Sequence, residues 1–348
     1  MRRKTRQIFV GDVAIGGDAP ISIQSMTNTK TSDLEGTVKQ ILALEEAGCD
    51  IVRFAVNSEE DAKTIPEIKK RIHIPTIADI QFNYQLALYA IEYGADGLRI
   101  NPGNIGEKWK VKEVVDAAKG AGISIRVGVN SGSVHQEYIE KYHGVNVDSL
   151  CYSALDEVRV LESLGFSDIK VSIKSSDVNQ SIEVNRKFAS MTDYPLHLGI
   201  TEAGNKEQGL IKSSVGIGSL LHDGIGDTIR ISLTDDPCRE VEAGKILLRT
   251  LGLRKEGVEI ISCPTCARTD INLIPLVNEA QEAFKSYKKP LKIAIMGCPV
   301  NGPGEAKEAD FGISGGKGKG IIFSKGKIIR TVEEENLLKA LLEEMERY

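Results

Sequence analysis

No histidine follows His222 in this 348-residue chain, although the cysteines that matter most lie beyond it. A structural zinc site there would have no local imidazole to complete it. The six cysteines show no paired spacing of the kind that staples secreted domains, which fits a reducing cytoplasm. There is no excess of positive charge: the formal net charge is −5, which argues against a nucleic-acid-binding role. No apolar run is long enough to span a bilayer, and no apolar signal segment follows the basic start Met1-Arg-Arg-Lys-Thr-Arg6. No Gly-x-Gly-x-x-Gly turn follows the first predicted strand, so nothing points to a dinucleotide fold. The Gly/Lys-rich stretch Gly315–Gly320 lacks the Gly-Lys-Ser/Thr ending of a phosphate-binding P-loop and reads as a solvated hairpin tip.

What is present begins with an alternation. Eight short Ile/Val-rich runs bounded by Gly, Pro or Asn read as strands: 21–26, 51–56, 75–80, 97–101, 124–130, 169–174, 196–201 and 228–233. Segments between them, such as 38–47 and 86–93, repeat apolar residues at three and four positions and read as helices. Gly48, Gly94, Gly122 and Gly165 stand where helices should stop in a left-handed cap. Eight strands alternating with helices predict a (β/α)8 TIM barrel over residues 1–253; an open doubly wound sheet is the alternative. Gly11 and Gly16-Gly17 predict a hairpin covering the barrel floor. Arg254–Gly257 reads as a linker, and residues 258–348 as a smaller α/β unit ending in a helix from about Glu333.

In a TIM barrel the active site lies at the C-terminal ends of the strands. Those ends carry Gln24, Asn28, Arg53, Asp79, Arg99, Asn101, Arg126, Asn130, Lys174, His197, Glu202, Arg230 and Ser232. Arg53, Arg99, Arg126, Lys174 and Arg230 face only two clear acids, Asp79 and Glu202, so positive charge is left for a ligand. Guanidinium forks suit phosphate oxygens, and the loops Gly128–Ser133 and Gly216–Gly218 could add backbone N–H donors. The expected substrate is compact and highly anionic, most simply a diphosphate. Like charge favours the protonated carboxyl beside an anionic ligand, which makes Glu202 the candidate proton donor.

The second unit carries Cys263-Pro-Thr-Cys266 and, after residues 267–297, Cys298-Pro-Val-Asn-Gly-Pro-Gly-Glu305. Each cysteine turn follows an apolar run, 258–262 or 291–296, so both sulfur sets belong to the same kind of strand end. Three thiolates with no fourth soft ligand suit an iron–sulfur cluster with one unusual iron. A thioredoxin-like redox pair, a structural zinc and unrelated buried cysteines remain as alternatives. Cys49, Cys151 and Cys238 are isolated and read as ordinary core or surface residues.

Taken together, Gln24–Asn28, Arg99–Asn104, Gly128–Ser133, His197–Gly204, Gly224–Arg230, Cys263–Cys266 and Met296–Glu305 closely resemble, in order, the motifs of the 4-hydroxy-3-methylbut-2-en-1-yl diphosphate synthase family. The resemblance covers nearly the whole chain. It implies a TIM barrel followed by a smaller α/β iron–sulfur domain. It implies reductive ring opening and dehydroxylation of 2-C-methyl-D-erythritol 2,4-cyclodiphosphate, with two electrons from reduced flavodoxin or ferredoxin. It further implies a [4Fe-4S] cluster on Cys263, Cys266, Cys298 and Glu305, diphosphate binding by the five cations, acid/base work by Glu202, and a homodimer of the bacterial two-domain form. Three positions depart from the family pattern: Gln81 where His is common, Ala267 where Gly is usual, and Pro299 where an aliphatic residue is usual. The competing readings are a barrel hydrolase or lyase acting on a phosphorylated substrate with a structural metal or cluster, and an electron carrier with no substrate of its own. The cation-rich mouth speaks against the carrier.

Overall fold

A computed structural model describes residues 2–299 and 306–348, and the chain divides into two compact units, one ending at Arg254 and one running from Lys255 to Tyr348. Two short strands, β1 (Ile8–Val10) and β2 (Val13–Ile15), pair antiparallel as a hairpin. Eight parallel strands follow: β3 (Ser22–Met26), β4 (Ile51–Ala55), β5 (Thr76–Asp79), β6 (Gly97–Ile100), β7 (Ser124–Asn130), β8 (Ile169–Lys174), β9 (His197–Leu198) and β10 (Thr228–Ile229). Their order in the sheet is β8-β7-β6-β5-β4-β3-β10-β9. A parallel bridge from Val171 in β8 to Leu196, just before β9, brings the two ends together. The result is a nearly closed barrel, as the alternation predicts, and not an open sheet.

The helices form where the sequence offers starts and stops. Asp33, Ser58 and Asn83 each cap a helix by accepting a backbone N–H, in the first turns of Leu34–Ala47, Glu59–Lys69 and Tyr84–Glu92. The four expected glycine stops all take positive φ: Gly48 96°, Gly94 89°, Gly122 65° and Gly165 69°. Outward-facing strand residues such as Val52, Phe54, Leu98, Val127 and Val171 pack against helix residues such as Ile41, Leu44, Val114 and Leu161 in one continuous core. The β1–β2 hairpin buries Ile8, Val10 and Ile15 against Ile51 and Ile77, at the N-terminal ends of β4 and β5. Each such side chain contributes about 1.5–3 kcal/mol, enough to hold the hairpin as a floor.

Two expectations for the barrel need correction. The seventh and eighth strands are shorter than the apolar runs 196–201 and 228–233 suggest. β9 ends at Leu198 and β10 at Ile229, and a Cβ on Gly199 would lie 2.7 Å from Lys174 Nζ and 2.8 Å from Arg230 O. A side chain at position 199 would therefore collide with the Lys174 ammonium and the Arg230 carbonyl. Gly216 and Gly218 do not form a phosphate loop: they are buried within the helix Lys206–His222. A Cβ on Gly216 would come within 2.6 Å of Ile200 Cδ1, so this glycine serves close helix packing.

In the second unit, β11 (Val258–Ser262), β12 (Leu291–Met296), β13 (Phe311–Gly316), β14 (Lys319–Ser324) and β15 (Lys327–Glu333) form one sheet in sequence order. The first three are parallel and the last two antiparallel. The Gly/Lys stretch is the hairpin turn between β13 and β14, with positive φ at Lys317 (46°) and Gly318 (77°). β15 ends at Glu333, where the final helix was expected to start; a 3-10 turn, Glu334–Asn336, follows, and the helix begins at Leu337. Helices Leu273–Ala283 and Leu337–Glu346 cover the sheet with Leu273, Ala280, Leu337 and Leu341. Among the described residues no helix is long and apolar enough to cross a membrane.

Candidate functional site

Strand alternation sends every second side chain into the barrel. Register then aligns the charges: Asp79 on β5 is level with Arg99 on β6, Arg99 with Arg126 on β7, and Arg126 with Lys170 on β8. Four residues further along the same strands, Asn130 is level with Lys174. A Cβ on Gly128 would lie 2.9 Å from Arg99 Nε, so the missing side chain makes room for that guanidinium. All five expected cations line one cavity of about 230 Å³, together with Asp79, Asn130 and Ser232. Gln81 lines it too, with its Nε2 3.4 Å from Asp79 Oδ1. A larger groove of about 410 Å³, bordered by Arg6, Glu162, Asp193 and Tyr194, lies elsewhere. Its rim is already neutralised by Arg6–Asp193 (2.7 Å) and by Tyr194 donating to Glu162 (2.8 Å).

Charge in the mouth is unbalanced. Asp79 is shared by Arg53 at 3.4 Å and Arg99 at 3.2 Å. Burial would raise its carboxyl pKa, but Arg53, Arg99 and Arg126 outweigh burial and hold it below the usual range. Arg126 has no carboxylate at ion-pair distance among the described residues; its Nη1 meets His197 Nε2 at 3.3 Å. Lys174 likewise pairs with no carboxylate among them. Burial, then the Arg126 charge, pushes Lys174 well below the ordinary lysine range. Burial brings Arg53 down to about 10, against the pull of Asp79. His197 is fully enclosed, and burial followed by Arg126 and Lys174 drives it far below the normal imidazole range. It is a neutral ring able to accept from Arg126. The buried Nε atoms of Arg99, Arg126 and Arg230 have no partner. Buried donors are normally satisfied, and these three guanidinium N–H groups are free to donate to oxygen acceptors.

The remaining expected residues divide. Asn101 is buried, and its Oδ1 caps Gly103 N at 3.0 Å while its amide approaches Gly128 O at 3.4 Å; it shapes the wall without facing the cavity. Asn130 both lines the cavity and caps the turn Ser131–Ser133. His197 stands behind Arg126, outside the lining. Glu202 is exposed in the loop after β9, at φ 51°, next to the cavity residue Thr201. Sequence reading missed Ser172, although its place between Lys170 and Lys174 in a strand signals an inward position. It also missed Glu240, a third acid. This residue is 4% exposed, and its Oε2 lies 3.4 Å from Arg230 Nη2. Its position in the first turn of the helix Pro237–Thr250 carries no pattern beyond the favourable placing of acids there.

In the second unit, Cys263 and Cys298 follow the adjacent parallel strands β11 and β12, with Ser262 level with Ile295. Gly297 N–H donates to Cys263 Sγ at 3.3 Å. A Cβ on Gly297 would lie 2.8 Å from Thr269 Cγ2, so the turn between the two cysteine strands is closely packed. Cys298 is buried and Cys266 exposed; the backbone N–H of Arg268 lowers the Cys266 thiol pKa. All three are free thiols, as a soft-metal donor set requires. Glu305 lies outside the described residues. The other cysteines differ in kind: burial pushes Cys49 up to about 12 and Cys151 and Cys238 up to about 11, leaving inert thiols.

Comparison with known proteins meets this geometry. Residues 5–245 match the family described as GcpE TIM-barrel domain, and residues 259–347 match the GcpE protein C-terminal domain. A protein of Caldanaerobacter subterraneus subsp. tengcongensis named 4-hydroxy-3-methylbut-2-en-1-yl diphosphate synthase (flavodoxin) is 58% identical, covering 100% of this chain and 98% of its own. One of the same name from Thermodesulfovibrio yellowstonii is 56% identical over 99% of both chains. Among solved structures, 7,8-dihydropteroate synthase from Vibrio fischeri ES114 overlays with a TM-score of 0.52 at 13% identity, covering 71% of this chain and 98% of that one; this likeness shows the barrel fold alone. The chain belongs to the GcpE family, the family of 4-hydroxy-3-methylbut-2-en-1-yl diphosphate synthases.

Proposed function

We propose that this chain is an iron–sulfur oxidoreductase that opens 2-C-methyl-D-erythritol 2,4-cyclodiphosphate and removes a hydroxyl to give 4-hydroxy-3-methylbut-2-enyl diphosphate. The observation that carries the reading is full-length identity above one half with relatives of that name, joined to a cation-rich barrel mouth. A hydrolase or lyase with a structural metal has no comparable support.

In this reading the barrel, residues 1–253, binds substrate. Arg53, Arg99, Arg126, Lys174 and Arg230 neutralise the diphosphate, and the unpartnered guanidinium Nε–H groups donate to its oxygens. Asn130, Ser232 and Asp79 orient the rest of the molecule, with Asn101 and His197 supporting them from the wall. Glu202 delivers a proton to the departing hydroxyl so that it leaves as water. Residues 258–348 hold a [4Fe-4S] cluster through Cys263, Cys266 and Cys298, and Glu305 is the proposed fourth ligand. The cluster, when bound, supplies two electrons one at a time. Three free thiols on neighbouring strand ends, with a backbone N–H already donating to one sulfur, suit such a cluster. Flavodoxin is the donor named for the relatives and is the donor proposed here. A homodimer working in the cytoplasm completes the reading.

The test is anaerobic. Protein reconstituted with iron and sulfide should show broad visible absorption and convert the cyclic diphosphate when reduced flavodoxin is supplied. Stoichiometric zinc without that absorption, or a charged cluster with no turnover, would overturn it.

A further inference from the structure

Arg230 and Glu202 belong to different strand ends; the buried Glu240 side chain stands beside Arg230, and the backbone it anchors bonds to the loop that carries Glu202. Glu240 Oε1 accepts Leu233 N–H at 2.9 Å, and its Oε2 stands 3.4 Å from Arg230 Nη2. The second contact is at ion-pair range without hydrogen-bond geometry, so that oxygen has no bonded partner. The next residue after the anchored Leu233 carries the link onward: Thr234 N–H donates to Gly204 O at 3.0 Å. Gly204 lies two residues beyond Glu202, in the loop where Glu202 itself takes φ 51°. The junction is closely packed, since a Cβ on Gly209 would meet Leu233 Cδ2 at 2.6 Å, Gly204 O at 3.3 Å and Ser232 O at 3.4 Å. Glu240 is buried; burial raises its carboxyl pKa, and the Arg230 charge, the Leu233 N–H and the Lys174 charge act in the opposite direction.

We infer that Glu240 is a positioning residue that aims Arg230 into the anion cavity and, through Leu233–Thr234–Gly204, holds the loop carrying Glu202. The inference rests on the reading of the mouth as a diphosphate site. Its two arms are separable. A Gln side chain at position 240 keeps an oxygen for Leu233 N–H but loses the charge that faces Arg230. An Ala loses both.

Inorganic pyrophosphate is the binding probe, measured by calorimetry on the cluster-loaded protein, with steady-state turnover alongside. Glu240→Gln should weaken pyrophosphate roughly tenfold, within the range of coupling between touching residues. KM for the cyclic diphosphate should rise by a similar factor with little change in kcat. Glu240→Ala should add a fall in kcat, because the Glu202 loop loses its anchor. In an Arg230→Gln background, Glu240→Gln should change pyrophosphate affinity no further; a merely structural acid would weaken binding in both backgrounds. Unchanged or tighter pyrophosphate binding by Glu240→Gln would overturn the aiming role, and a kcat for Glu240→Ala equal to that of Glu240→Gln would overturn the loop link. If the unaltered protein fails to turn over the cyclic diphosphate, the functional reading falls instead, while the pyrophosphate cycle still reports on Glu240.

Discussion

The barrel mouth and the cysteine turns solve opposite problems. In the mouth, Asp79, Arg99, Arg126 and Lys174 stand on strands in fixed register, Arg53, Asp79, Arg126 and His197 are buried, and like charges are forced together. Its walls leave guanidinium donors unmet and drive Lys174 and His197 toward their neutral forms. The cysteines stand on turns just beyond two strand ends, range from buried to exposed, and are separated in sequence. A site that must grip a fixed anion gains from rigidity, because the ordering of its donors is already complete before the ligand arrives. A soft-metal donor set needs the right atoms within reach of one another, since metal bonds themselves supply much of the order.

The largest effect should separate the two regions outright. Cys298→Ser should remove visible cluster absorption and turnover together, while pyrophosphate still binds the barrel with parent affinity; loss of both functions would mean that the regions do not assemble independently. Next comes Glu202→Gln, for which a loss of ~10²–10⁴-fold in kcat is expected from general acid catalysis, with cluster content and pyrophosphate affinity kept. Single-turnover rates on reduced protein measure it. Arg126→Gln should cost about 1.5–3 kcal/mol of anion binding, or roughly 10- to 100-fold in affinity, with the cluster spectrum unchanged. Calorimetry with pyrophosphate decides, and unchanged affinity would place the anion site elsewhere.

The smallest effect is on stability and tests rigidity itself. His197 is held well below its ordinary value of 6.5 by burial and by the Arg126, Lys174, Lys170 and Arg53 charges. The unfolded chain therefore binds a proton below about pH 6.5 that the folded barrel refuses. The stability contributed by the neutral ring is present above that pH and lost as pH falls, by up to ~1.4 kcal/mol per unit. His197→Gln should flatten this part of the pH dependence of thermal unfolding. An identical slope in the variant would show that the ring titrates normally.

How much was legible follows the kind of interaction. The barrel was readable because apolar alternation, glycine stops and helix caps act over a few residues, and all pointed the same way. The five cations were readable once that fold was in view, because residues at strand ends share one face. Gly199 and Gly216 were not legible as packing glycines, because a Cβ at either would meet groups brought in by the fold, Lys174 and Ile200, and no local rule contains that information.

Sequence by itself determined the eight-strand alternation, the acid-poor cation set and the placing of three cysteines after two apolar runs. These follow from residue type and period alone. Tertiary structure decided which charges meet: that Asp79 is divided between Arg53 and Arg99, that Arg126 leans on a neutral His197, and that Glu240 answers Arg230. Electrostatic partners are chosen by distance in a low-dielectric interior, and register and helix packing set those distances where sequence separation says nothing.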